Sequence, residues 1–373
     1  MRAFPALGVR LELPPNPPVL DEERPDLSTF SSRPLGLHPE ALAIAPLPVH
    51  WTGLSGPVPG RFLAGGLPND PAARWTLRVP KAWNGALVVA AAPGLATCEA
   101  YDLYWADFLL ARGFAFAVTD KGTRMARTAE AAYIPLDAEG RPALWAERLV
   151  SLTLEARRAL VSSAGRAPER LYVVGVSNGG WLARRVLEER PDLFDGGVEV
   201  SGLLWRADGP NLLVQLPAAL RAARMGFEPA ALKEAGLSLP DGWGGLAAFY
   251  RDFLWGPTFA YFVHHLDPAW SGDPEAYDYV GRPEARRAAR ALECTGRVGK
   301  PLWSVCGEAD LLVPPSRHLD PYADLVKAAG RGALHRVVRV PKGSHSDADV
   351  HIEPSAAPLM PHAHKAFLEL AGA

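Results

Sequence analysis

Seven short apolar runs lie along the chain, each bounded by turn-forming residues, and several of them are apolar at consecutive positions. They are WTLRVP from Trp75, ALVVAAAPG from Ala86, FAFAVTD from Phe114, LYVVGVS from Leu171, GGVEVSG from Gly196, PLWSVCGEAD from Pro301 and HRVVRVP from His335. A strand with one wet face alternates apolar and polar residues, whereas a strand covered on both faces has no reason to. Runs of this kind belong inside a parallel sheet. The segments between them carry the helical period. The clearest places Trp145, Leu149, Leu152, Ala156 and Leu160 on one face, with Glu147, Arg148, Glu155 and Arg158 mostly elsewhere. Strand alternating with helix predicts an α/β fold, a mostly parallel central sheet flanked by helices.

The alternation stops between Leu203 and about Val298, where no strand-like run occurs and aromatic residues crowd together, among them Trp243, Tyr250, Trp255, Phe259, Phe262 and Tyr277. This stretch reads as a mostly helical insertion over the carboxyl end of the sheet, the edge at which ligands bind in open α/β folds. Most of its aromatics are expected to form its own core, with a minority lining a pocket. Residues 1–49 are dense in proline and lack either period, so an irregular arm laid over the core is expected. The predicted organisation is thus an arm (1–49), a core (50–202 and 299–373) and a helical cap (203–298).

With 39 basic and 41 acidic residues the formal net charge is -2, which leaves no electrostatic footprint for nucleic acid or an anionic membrane. A small or neutral molecule is the expected partner. Cys98, Cys294 and Cys306 share no metal-ligand spacing and are too few for a disulfide framework, so they read as reduced thiols. The first twenty residues build no signal-peptide core, and no apolar run is long enough to span a bilayer. A cytoplasmic protein is expected on these grounds.

One run ends in a way that points to chemistry. LYVVGVS leads directly into NGGWLARRVLEERP, a strand turning into a helix across Gly175-Val176-Ser177-Asn178-Gly179. A nucleophile displayed on so tight a turn needs small residues two before and two after it, and Gly175 and Gly179 occupy those places around Ser177. A serine hydroxyl is a weak nucleophile at neutral pH and needs a base, itself oriented by a third group. Asp310 closes the sixth run and His345 follows the seventh in KGSHSD, both at the carboxyl ends of predicted strands.

GVSNGG, GEADLLVP and PKGSH resemble, in this order, the nucleophile elbow, acid turn and histidine loop of the α/β-hydrolase superfamily, over roughly Val49 to the C-terminus. SNGG followed by ERPDLFDGGVEVSG is similar to bacterial esterases of the tannase, feruloyl esterase and hydroxybutyrate-oligomer hydrolase kind. The resemblance implies an α/β-hydrolase fold and a serine hydrolase acting on carboxylic esters through an acyl-enzyme. Ser177 would attack the carbonyl, His345 would shuttle the proton and Asp310 would hold the imidazole. It also implies an oxyanion donor at Asn178, directly after the nucleophile, and a second in the loop after ALVVAAA. Many relatives carry His-Gly there. This chain has Pro93-Gly94-Leu95, and because proline has no N–H, Leu95 is the first choice and Gly94 the second. The expected substrate is a small ester with an apolar acyl or aromatic part, and no cofactor or metal is expected. Amide or peptide hydrolysis by the same residues is the close alternative; a non-catalytic binder of apolar ligands on the same fold is the distant one.

Other residues compete for these roles. His351, in HSDADVH with Asp347 and Asp349, rivals His345 and suggests a metal site, against a solvated loop. His264 and His265, near Asp267, suggest substrate contact. Glu308 rivals Asp310. Asp120 and Lys121 either shape the site or form an exposed turn pair, the second being the plainer reading.

Overall fold

All seven apolar runs form strands of one sheet. The structure, a computed structural model, describes residues 20–28, 56–68, 70–94, 102–123, 125–127, 133–135 and 141–372. The sheet has nine strands, placed side by side as β1 (Leu20–Arg24), β2 (Gly60–Leu67), β3 (Asp70–Pro80), β5 (Ala115–Thr119), β4 (Ala86–Ala91), β8 (Arg170–Val176), β9 (Gly196–Val200), β10 (Leu302–Gly307) and β11 (His335–Val340). From β5 to β11 every neighbour is parallel, while β1, β2 and β3 extend the other side as antiparallel strands. A separate antiparallel pair joins β6 (Met125–Arg127) to β7 (Tyr133–Pro135).

The helices are α1 (Asp107–Leu110), α2 (Trp145–Ala164), α3 (Asn178–Glu189), α4 (Leu212–Arg224), α5 (Pro229–Ala235), α6 (Gly244–Tyr250), α7 (Gly256–Leu266), α8 (Pro283–Arg290), α9 (Leu319–Ala328) and α10 (Met360–Ala371). Both faces are covered from β5 through β4, β8 and β9 to β10, which explains the apolar runs there, whereas the edge strand β11 is mostly exposed. Along β4, Leu87, Val89 and Ala91 pack into one cluster with Trp145, Leu149 and Leu152 of α2. Ala86, Val88 and Ala90 alternate into another with Trp105, Leu109 and Phe367. The predicted face of α2 is buried throughout, and Gly165, at a φ of 73°, closes that helix in the left-handed conformation.

Helices α4 to α8 fill the interval between β9 and β10, where the strand rhythm breaks. Trp243, Tyr250, Trp255, Phe259 and Phe262 are buried, but in the larger core cluster that also holds Leu87, Trp145 and Trp181, so they share the core of the sheet instead of forming one of their own. The N-terminal stretch differs from its expected irregular form where it is described. Leu20–Arg24 is an edge strand on β2, and Leu27 is buried against the sheet. Four of its five residues are polar, so no apolar pattern marked it. Residues 1–19 and 29–49, the rest of the expected arm, lie outside the described residues.

Candidate active site

The elbow at Ser177 is shaped by backbone contact. β8 ends at Val176, opposite Val200 of β9, and Ser177 N–H continues that ladder to Val200 O at 2.8 Å. Ser177 then turns at φ 57°, ψ -120°, and α3 begins at the next residue. A side-chain-bearing residue in such a region carries roughly 1–3 kcal/mol of strain, kept only when the surroundings over-determine it. Here they do. A Cβ on Gly175 would lie 2.2 Å from Gly179 O, so the strand and the first turn of the helix meet with no room for a side chain. The turn leaves Ser177 at the carboxyl edge of the sheet, with the positive end of the α3 dipole beneath it.

The acid and the histidine come from β10 and β11, which lie beside one another and end together at Gly307 and Val340. Beyond those ends, Ala309 N–H donates to Gly343 O at 2.9 Å, and a Cβ on Gly307 would lie 2.3 Å from Gly343 backbone. Gly343 is needed for this close approach, while the left-handed residue of the turn is its neighbour Lys342, at φ 56°. The two loops bring Asp310 and His345 together, with Nδ1 of the imidazole 2.9 Å from Asp310 Oδ2. The other carboxylate oxygen accepts Leu312 N–H at 2.8 Å and Val313 N–H at 2.7 Å.

Electrostatics match this geometry. Burial works to raise the Asp310 carboxyl, but the charge and hydrogen bond of His345, with the Val313 and Leu312 N–H groups, hold it below its ordinary value. Burial works against the His345 imidazolium, yet Asp310's charge and hydrogen bond, with Asp349's charge, outweigh it and raise the group. Asp310 is therefore the acceptor and His345 Nδ1–H the donor, which leaves Nε2 as the basic nitrogen. Behind the pair, His318 is fully buried and accepts Leu204 N–H on Nδ1 at 3.0 Å; burial pushes its imidazole down to about 3, so it stays neutral. Ser177 lies on the same edge, two strands from Asp310 and three from His345. Among the described residues no hydrogen bond joins its hydroxyl to His345, an arrangement that substrate binding can tighten.

The loop after β4 is anchored from both flanks. Ala92 N–H donates to Thr119 O at 2.8 Å, and Lys121 Nζ donates to Ala92 O at 2.6 Å. From the elbow, Asn178 Nδ2 reaches Gly94 O at 3.2 Å, and Gly94 itself is left-handed at φ 47°. Leu95 lies outside the described residues.

Several competing residues are displaced from the site. Glu308 is exposed while Asp310 is buried, which removes the rival acid. The stretch HSDADVH is not a solvated extended loop. Asp347–His351 form a 3-10 turn in which Asp347 and Asp349 are buried and His351 is exposed, and no cluster able to hold a metal ion occurs among the described residues. His264 is exposed, and Asp267 is engaged by Arg282 and Tyr277 instead of the neighbouring histidines. Asp120 and Lys121 are buried, not an exposed turn pair; Asp120 Oδ1 accepts Arg74 N–H and Gly122 N–H. Cys294 and Cys306 are free and buried, and Cys98 lies outside the described residues.

Among solved structures, feruloyl esterase B from Aspergillus oryzae superposes over 78% of this chain and 75% of its own, with a TM-score of 0.55 at 13% identity. An esterase from Aspergillus oryzae superposes over 88% of this chain and 79% of its own, with a TM-score of 0.53 at 12% identity. The chain has the α/β-hydrolase fold. Residues 63–200, rather more than a third of the chain, match the family "Tannase and feruloyl esterase". The match runs from β2 to the end of β9, so it contains the elbow and not the acid or the histidine. No curated protein sequence matches the chain. No helix among the described residues is long and apolar enough to cross a membrane.

Sequence reasoning missed the burial of Asp349, His318 and Lys121, the last of which ties down the loop after β4. Only Asp349 and Lys121 stood near a recognised motif, and nothing in their immediate neighbours marked what they bind.

Proposed function

We propose that this α/β-hydrolase cleaves carboxylic esters through a Ser177-His345-Asp310 triad and an acyl-enzyme. The observation that carries the reading is the buried Asp310–His345 hydrogen bond of 2.9 Å at the strand edge that also bears the strained Ser177. Ser177 Oγ attacks the ester carbonyl carbon as its proton passes to His345 Nε2. The tetrahedral adduct then expels the alcohol, which takes that proton. Water, deprotonated by the same nitrogen, attacks the acyl-enzyme, and the carboxylic acid leaves with Ser177 restored. Asp310 stays ionised and holds the imidazole in the tautomer that presents Nε2.

The oxyanion is received by Asn178 N–H, at the start of α3, and by a backbone donor of the 93–95 loop, Leu95 before Gly94. The helical insertion between β9 and β10 serves as a cap, with residues 203–298 as its bounds and 50–202 and 299–373 as the core. Its aromatic content fits a substrate with an apolar acyl or aromatic part.

The test is hydrolysis of p-nitrophenyl esters from acetate to palmitate, and of matching p-nitroanilides, by the wild type and Ser177→Ala. Ester turnover should fall by at least about 10⁴-fold in the variant, as removal of a triad nucleophile does, with the anilides poor substrates. A Ser177→Ala protein that keeps its turnover would remove the serine mechanism. Anilides cleaved faster than esters would replace the esterase with an amidase.

A further inference from the structure

The loop bearing His345 is held by a second carboxylate. Asp349 Oδ2 lies 3.2 Å from His345 N and 3.4 Å from Ser346 N, and it accepts the hydroxyl of Tyr250 at 2.6 Å. Ser346 and Asp349 also form a reciprocal capping box at the start of the 3-10 turn, so the carboxylate closes the loop on itself. Both Tyr250 and Asp349 are buried, and Tyr250 comes from α6 of the helical insertion, 99 residues away in the chain.

Tyr250 does not act alone. Trp255, just beyond α6, donates its indole N–H to Leu311 O at 2.8 Å, directly beside Asp310. Trp243, just before α6, donates to Ser355 Oγ at 3.0 Å, past the histidine loop. One short stretch of the insertion therefore holds the acid turn and the histidine loop at three points. An insertion serving only as a hinged cover would not need hydrogen bonds to the loops that carry the acid and the base.

Resting on the triad reading above, we propose that Tyr250 and Asp349 are positioning residues for the base, through which the helical insertion fixes the height and charge balance of His345. Three donors converge on Asp349 Oδ2, and each gains from its being a carboxylate. Tyr250 stays a donor, because burial and then the charges of Asp349 and Asp310 hold its hydroxyl well above the ordinary range. The charged and titratable groups around His345 come from five elements. Asp310 faces it from the acid turn, Asp349 from its own loop and neutral His318 from the start of α9; Tyr250 reaches Asp349 from α6. Tyr104 faces Asp347 and Asp349 from the segment after β4.

The sign of the pH effect follows from this set. His345 must be neutral to act as base, so turnover is lost as pH falls through its pKa, which lies above the ordinary 6.5. Asp349's charge helps to raise it while that carboxyl is ionised, burial holding the Asp349 carboxyl itself above its ordinary value. Removing that charge lowers the His345 pKa, and the acid limb of the profile moves to lower pH.

The experiment measures kcat, KM and the pH profile of kcat/KM on p-nitrophenyl acetate for the wild type, Tyr250→Phe, Asp349→Asn and the double variant. In Asp349→Asn, kcat should fall about 10- to 100-fold, the range expected when a catalytic group is displaced by up to about 1 Å. KM should stay within about twofold, and the acid limb should move to lower pH. Tyr250→Phe should lower kcat by about 3- to 10-fold, and its effect should disappear in the Asp349→Asn background, since the two act through one contact. A lowered melting temperature with kcat and the acid limb unchanged would make the contact merely structural and overturn the inference, as would simple additivity. If Asp349→Asn does not fold, Tyr250→Phe decides alone, and an unchanged kcat overturns it. Turnover persisting in Ser177→Ala would fail the triad reading instead. Turnover lost there but unchanged in both positioning variants fails this inference only.

Discussion

The nucleophile side and the base side of this site are built by opposite means. The Ser177 elbow is made from five consecutive residues and their backbone, where Gly175 meets Gly179 and Ser177 takes the strained turn between them. The base side is made from side chains far apart in the chain: Asp310 and His345 are 35 residues apart, Trp255 and Leu311 are 56 apart, and Tyr250 and Asp349 are 99 apart. Steric exclusion positions the first and charge and hydrogen bonding position the second. They should therefore fail differently when disturbed, the elbow without any change in pH dependence and the base side with one.

The largest effect short of removing the nucleophile is expected from Asp310→Asn. The amide oxygen can still accept the Leu312 and Val313 N–H groups, so the acid turn survives. The amide nitrogen, however, meets His345 Nδ1 with a donor where an acceptor stood, which selects the wrong tautomer. Loss of about 10⁴-fold in kcat is expected, by analogy with the same change in serine proteases. Labelling of Ser177 by an organophosphorus probe should slow in step. A loss below tenfold would mean that the imidazole is held chiefly from Asp349, and the two-sided account of the base would need redrawing.

Gly175→Ala probes the opposite principle. The new methyl would meet Gly179 backbone at 2.2 Å, with no flexible side chain to give way. The elbow must open, at a cost of roughly 1–3 kcal/mol in stability and, with the nucleophile moved by something like 1 Å, about 100-fold in kcat. The acid limb of its pH profile should stay where the wild type has it. A limb that moves with this variant would show that the two sides are not separable.

The same contrast decides what could be read from the amino acids alone. The inner parallel strands were legible because burial on both faces leaves unbroken apolar runs, β11 was legible by its valines although it is an exposed edge, and the elbow was legible because its requirements are local. The pairing of Asp310 with His345 was reachable only through strand order, since each follows a recognisable strand. β1 was not legible, because an edge strand reading LDEER is wet and charged, and β2 was not, because GRFLAGGL carries neither period. Tyr250 sat unmarked among many insertion aromatics whose shared purpose is packing. Asp349 looked like one of several acids in a solvated loop, because the turn that buries it is completed by partners outside the motif. Lys121 looked exposed because lysine usually is, and its burial depends on Ala92 O, a carbonyl no side-chain pattern announces.

Asn178 belongs to both principles, and its variant gives the smallest effect. Its backbone N–H, placed by the first turn of α3, is the proposed oxyanion donor and survives any side-chain change. Its side chain instead reaches across to Gly94 O at 3.2 Å and ties the elbow to the loop that should supply the second donor. In Asn178→Ala that loop keeps Lys121 on Ala92 O and loses only the tether nearest the oxyanion. Deleting an oxyanion donor outright costs about 10²–10³ in kcat, so loosening one should cost less, on the order of tenfold. KM should change little, because the ground-state carbonyl is held less tightly than the oxyanion. No charge is added or removed near His345, so the acid limb should not move. A phosphonate that mimics the tetrahedral adduct should bind Ser177 more weakly by a similar factor. A full 10²–10³ loss would mean that the side chain, not the loop backbone, is the second donor.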